Sequence, residues 1–238
     1  MSFGLQPALF LGCAMFAVSV GALAQNPPSP AVGQPPIYDP QQLPTQRGEV
    51  KQFTMTPRGD IDGLILTDGT EVKVPKHLSS EIAYSIKPGD AVTIHGLRAA
   101  ALPLVQATSI TDDATGRTVV DNGPPGPGRG AGPAGPTAAL TEVQGRVRMP
   151  LHGPRGDVNG ALLEDGTVLR LPPPEAERFA SLLQPGQALV AEGSLFASGI
   201  GKVLEVRQLG ASRDQMNQVQ GPGPGPGGKK GRRGPPPA

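Results

Sequence analysis

The chain has 238 residues, a formal net charge of +1, a single cysteine and no tryptophan. Glycine (34) and proline (29) exceed a quarter of the chain and lack the three-residue period of a collagen helix. Cys13 sits in the N-terminal apolar segment, so a processed protein has no thiol for disulfides, nucleophilic catalysis or metal binding.

Residues 8–21 form an uncharged apolar run, followed by Ala22-Leu23-Ala24 and Gln25. That is the pattern of a secretory signal peptide cleaved after Ala24, although no Lys or Arg precedes it. Fourteen apolar residues are too few to span a bilayer comfortably, so a cleaved leader (1–24) and a periplasmic or extracellular protein are expected. Residues 25–46 are Pro-rich and almost uncharged, and read as a disordered spacer.

A duplication follows. Pro57-Arg58-Gly59-Asp60-Ile61-Asp62-Gly63 recurs as Pro154-Arg155-Gly156-Asp157-Val158-Asn159-Gly160, 97 residues later and without a gap. The offset holds from Gly48/Gly145 to Gly96/Gly193, with 17 of 49 pairs identical, so two domains are expected, at 47–121 and 141–210. In the first copy, Gly48–Met55 reads as a strand and Pro57–Asp60 as a turn. Ile61–Thr67 reads as a second strand, with Gly63 marking a bulge or a close backbone approach. Asp68-Gly69 is a two-residue hairpin signal, and Thr70–Val74 is the third strand, with Val72 and Val74 on one face. A short helix capped by Ser79 or Ser80 carries Leu78, Ile82, Ala83 and Ile86 on one stripe; the second copy offers Ala176, Phe179, Leu182 and Leu183. Asp90–Leu97 and Leu102–Ile110 hold the last two strands, and Thr118–Val120 could add a short one.

The connecting segment 122–140 and the end 211–238 are again Gly/Pro-rich and read as disordered. Residues 47–112 carry seven basic and eight acidic groups and 144–210 seven of each, whereas 211–238 carries a net +4. Domains of this size bury only about 60% of their unfolded surface, so marginal stability or mutual packing of the copies is expected.

Each copy therefore reads β-β-β-α-β-β, an all-β architecture with one short helix. At this point the chain resembles the OB-fold, a five-stranded Greek-key barrel with a helix between strands 3 and 4. The shared Gly-Asp-x-[Asp/Asn]-Gly…Asp-Gly-Thr…Pro…Pro-Gly…Gly skeleton is similar to uncharacterised exported bacterial OB-like proteins. The resemblance implies binding through strands 2–3 and the loops joining strands 1–2 and 4–5. It places Arg58, Asp60, Arg155 and Asp157 as candidate ligand contacts, the arginines suiting a carboxylate or phosphate. The competing reading is structural: Arg pairs with Asp, and Asp accepts backbone N–H groups in the turn.

Arg-Gly-Asp occurs twice but is turn chemistry. Asp60-x-Asp62-Gly63 lacks the further ligands of a calcium loop, so no metal is expected. His77, His95 and His152 have no histidine counterparts in the other copy and read as surface or edge residues; no cofactor or catalytic set emerges. Single-strand nucleic-acid binding is disfavoured, because stacking platforms are few (Phe53, Tyr84, Phe179, Phe196) and the domains are near neutral. The leading expectation is a non-catalytic exported binding or assembly module; the sequence does not name its ligand, and an envelope protein or an acidic polymer are the candidate partners. The alternative is polyanion binding through Lys229, Lys230, Arg232 and Arg233 with the strand 1–2 loops; a weaker one is a hydrolytic enzyme using loop carboxylates.

Overall fold

The computed structural model describes residues 42–123 and 140–221. The expected leader, most of the two spacers and the four tail cations Lys229, Lys230, Arg232 and Arg233 lie outside these residues.

Strand β1 (Thr45–Met55) is long enough to serve two neighbours. Its first half pairs antiparallel with β4 (Ala91–Arg98) and its second half with β2 (Ile61–Leu66). β2 continues antiparallel into β3 (Glu71–Lys73), and β5 (Leu104–Asp112) pairs antiparallel with β4 and parallel with β3. These pairings close a five-stranded barrel of order 1-2-3-5-4-1, so the sheet has no free edge there. The short helix α1 (Ser79–Ser85) lies between strands 3 and 4, where the OB-fold has it. β6 (Thr118–Val120) adds to the outer side of β5, as the sequence allows.

The second barrel repeats this with β7 (Leu140–His152), β8 (Val158–Leu163), β9 (Thr167–Arg170), α2 (Pro173–Arg178), β10 (Ala188–Ser198) and β11 (Gly201–Gly210). The register is preserved residue for residue: Val50↔Leu66 and Met55↔Ile61 in one copy, Val147↔Leu163 and His152↔Val158 in the other. Both β1 and β7 contain the same two irregularities, and one of them places Asp62 and Asn159 as the extra residues of β2 and β8. A bulge of this kind re-aims its side chain. The 97-residue offset ends after Gly96/Gly193 because the β10–β11 hairpin is two residues longer than β4–β5.

Several sequence expectations are corrected in detail. The Asp68-Gly69 turn is not a two-residue hairpin. Leu66 N–H bonds to Thr70 O at 2.9 Å and Gly69 N–H to Leu66 O at 3.0 Å, giving a three-residue loop with Gly69 at φ 87. Asp68 stabilises it by accepting from the Thr70 N–H (2.8 Å) and hydroxyl (3.0 Å), as Asp165 does for Thr167. Neither Ser79 nor Ser80 caps α1; Leu78 holds that position, and Ser79 Oγ instead accepts the Ile61 N–H at 2.8 Å. That bond ties the helix start to the first residue of β2. Ala83, expected on the apolar stripe, is exposed, while Leu78, Ile82 and Ile86 are buried.

The domain edges also move. Barrel 1 starts at Thr45 because β1 needs that length to reach His95 on β4. Barrel 2 starts at Leu140 and does not end at Gly210. A 3-10 turn (Arg213–Gln215) and β12 (Asn217–Gln218) fold back on β11, with Val219 buried. Arg213, expected in the basic end, is paired with Glu142 at 2.7 Å.

The two barrels belong to one compact unit. Leu151, Leu162, Val168 and Val203 of the second barrel pack into the same apolar cluster as Phe53, Met55, Ile65 and Val72 of the first. Mutual packing is thus how two small cores become one large one.

The retained glycines give a test. A Cβ on Gly63 would lie 2.5 Å from the Val72 carbonyl oxygen, whereas one on Gly69 meets nothing within 4 Å and suffers only its left-handed φ. Gly69→Ala should cost about 1–2 kcal/mol. Gly63→Ala should cost clearly more, because backbone must move; denaturant titration of the two variants orders them.

Candidate functional site: the seam between the barrels

OB-fold barrels ordinarily offer strands 2–3 and the 1–2 and 4–5 loops to a ligand. Here these surfaces face each other. Loop 56–60 of barrel 1 lies against the long β10–β11 hairpin, with the tip of the Phe196 ring at Gly59. Reciprocally, Gly156 in the matching loop of barrel 2 lies against Leu102 between β4 and β5. Gln52 Nε2 donates to Gly166 O at 3.2 Å, and Met55 packs on Gly201. The two turns are engaged reciprocally, each against the strand 4–5 connection of the other barrel, but the strand contacts are one-sided: β1 runs against β11, whereas the equivalent β7 and β5 stay further apart.

The centre of this seam is ionic. Arg170, on β9, is almost wholly enclosed and uses every part of its guanidinium. Nε donates to Met55 O at 3.0 Å, Nη1 to Asn159 Oδ1 at 3.0 Å, and Nη2 to both Asp62 oxygens at 2.6 Å. Asp62 is aimed there by its bulge and is also held by the Thr54 hydroxyl at 2.8 Å. On β3, Glu71 is 1% exposed and accepts from the His152 backbone N–H (3.0 Å) and from His152 Nδ1 (2.6 Å). Lys73 Nζ lies 3.3 Å from Glu71 Oε2. Since Glu71 is ionised it can only accept, so Nδ1 of His152 carries the proton. Two carboxylates and two cations balance, which makes their burial tolerable.

The electrostatics follow from enclosure. Burial alone would raise the Glu71 carboxyl. The His152 ring hydrogen bond, the Lys73 ammonium and the His152 backbone N–H outweigh it and hold the carboxyl below its ordinary 4.5. Lys73 is pushed below its ordinary range by burial and then by Arg170, with Glu71 and Asp62 pulling the other way.

The residues expected from the sequence fall at the margin of the seam. Pro57-Arg58-Gly59 and Pro154-Arg155-Gly156 are tight turns closed by Gly59 N–H to Thr56 O (2.9 Å) and Gly156 N–H to Gly153 O (3.0 Å). Arg58 and Arg155 are exposed and have no partner among the described residues. The expected Arg–Asp pairing does not form there. Asp60 takes the Thr56 hydroxyl at 3.4 Å, and Asp157 packs over Gly153.

His152, expected at the surface, is instead buried, because β7 carries it into the seam against Glu71. His77 pairs with Asp121 at 3.1 Å, and His95 lies beside the Thr45 hydroxyl at 3.3 Å. Among the described residues no cluster of three metal-ligating side chains forms. Phe53 and Phe179 are buried; Tyr84 is exposed, with Arg117 over its ring.

No family model matches the chain, and no curated protein matches it. Among solved structures, a deletion mutant of the single-stranded DNA-binding protein from Thermus aquaticus is similar at 14% identity. The match covers 76% of this chain and 96% of that one, with a TM-score of 0.21. A score that low carries no argument about ligand or relationship, and the OB-like assignment rests on the closed 1-2-3-5-4 strand order in both copies.

Two outcomes are expected of the seam. Arg170→Ala strips Asp62 of its cation and should cost about 3–5 kcal/mol in denaturant unfolding. As pH falls, the unfolded chain, whose Glu71 binds a proton more readily, takes up protons first, so stability declines through and below the ordinary carboxylate range. A Glu71→Gln variant should be less stable at neutral pH and show a shallower loss of melting temperature between pH 6 and 3.

Proposed function

We propose that the chain is a non-catalytic, exported binding or assembly module in which two OB-like barrels act as one rigid body. The observation that carries this reading is the mutual covering of the two usual ligand faces. With the strand 2–3 faces committed to each other, recognition falls to what stays exposed at the rim of the seam, foremost the side chains of Arg58 and Arg155. A partner carboxylate or phosphate suits their unpaired guanidinium forks. The leader-like residues 1–24 support export and suit a periplasmic or extracellular partner.

A second reading has its own observation. Arg58 and Arg155 are exposed cations without partners among the described residues, and residues 229–233 hold four more in sequence. Together they favour an acidic polymer over a neutral ligand. Nucleic acid is the poorer polymer, since Phe53 and Phe179 are spent in the core and cannot stack on bases.

Affinity capture from the periplasmic fraction, using the mature full chain, tests both readings. Arg58→Ala/Arg155→Ala should lose the captured partner by at least tenfold while melting within about 0.5 kcal/mol of the parent, as surface changes do. Retention by the double variant would sink the loop assignment. For an acidic polymer, affinity should fall steeply with added salt and vanish on deleting 221–238. Mass measurement of the exported protein should give a chain beginning at Gln25.

A further inference from the structure

The two faces of the seam derive from one duplicated surface, yet they no longer carry the same charges. Barrel 1 contributes Asp62, Glu71 and Lys73, a net of −1; barrel 2 contributes Asn159, Val168 and Arg170 at the same positions, a net of +1. His152 stands where barrel 1 has Met55, and it gives Glu71 a ring donor that Met55 could not. Pairing unlike faces is neutral. Two barrel 1 faces would enclose −2, and two barrel 2 faces +2 with no carboxylate for either guanidinium.

Arg170, Glu71 and Lys73 are enclosed (8%, 1% and 6% exposed) and Asp62 is about three-quarters covered (24% exposed), so solvent screens these charges weakly and such an imbalance is costly. We infer that Asp62, Glu71, Arg170 and His152 form a sorting code: each barrel accepts only the opposite copy, from its own chain or from a second molecule. Like-with-like association through this face, the route open to an unmodified duplicate, is shut. The code decides partner choice, the best-attested use of buried charge, more than it adds stability.

Complementary full-length variants test the inference. Asp62→Arg places two guanidinium groups together, and Arg170→Asp places two carboxylates together. Neither variant can repair the clash by dimerising with its own kind, because the same mismatch recurs between molecules. Refolded alone, each should remain a destabilised monomer or fail to accumulate. Refolded together, they should give a species of doubled mass by light scattering. In it, barrel 1 of the D62R chain meets barrel 2 of the R170D chain, and the parental pair re-forms at the other seam. The D62R/R170D double variant should return to single mass and regain most of the lost melting temperature. A stable doubled mass from either variant alone would overturn the code. So would a mixture that stays at single mass with unimproved melting, or a double variant no better than its parents.

Discussion

Arg170 is the residue on which the arrangement depends. A guanidinium carried into the interior must satisfy its donors there, and the groups that do so come from both barrels: Met55 O and Asp62 from one, Asn159 from the other. Asn159 is supplied by the same barrel through its bulge, but Met55 O and Asp62 reach the guanidinium only when the barrels are docked and the bulge in β2 is formed. Docking, register and charge balance are therefore one cooperative event. Buried ion pairs often contribute little net stability compared with apolar groups of similar volume. What this one supplies is uniqueness of docking, while the apolar cluster that runs from Phe53 and Ile65 into Leu151 and Leu162 supplies the stabilisation.

The fold was largely legible in the sequence. Strand and helix order, the turn glycines, and even the outlying strand at Thr118–Val120 could be read from alternation and punctuation, because local chemistry dictates them. The seam was not. Period-two alternation in β3 puts Val72 and Val74 on one face and Glu71 and Lys73 on the other, and the sequence alone offers water to the charged face. Only the second barrel, a long-range partner, turns that face inward. Asp62 was similarly hidden: its role depends on a one-residue bulge that shifts its direction.

One signal was available. Aligning the two copies shows Lys73 opposite Arg170, a cation kept on the third strand of both, and Asp62 and Glu71 opposite uncharged Asn159 and Val168. Charge retained at one position and lost from one copy at its neighbours is what a surface looks like when it has become half of an unlike pair. The loop arginines drew attention because they are identical in both copies. The turn accounts for the Pro and Gly on either side of them; the arginines themselves have no partner among the described residues and are left available on the outside.

The reciprocity of the contact has one more consequence, in the geometry of extension. Stacked repeats usually meet head to tail, so each added unit presents a fresh end and the array can grow. Here the strand 1–2 turn of each barrel meets the strand 4–5 connection of the other, and the encounter covers the strand 2–3 face of both at once. Two barrels use this face up. A third barrel appended after β12 would find no vacancy, and its own half-apolar, half-charged face would remain uncovered until another chain met it.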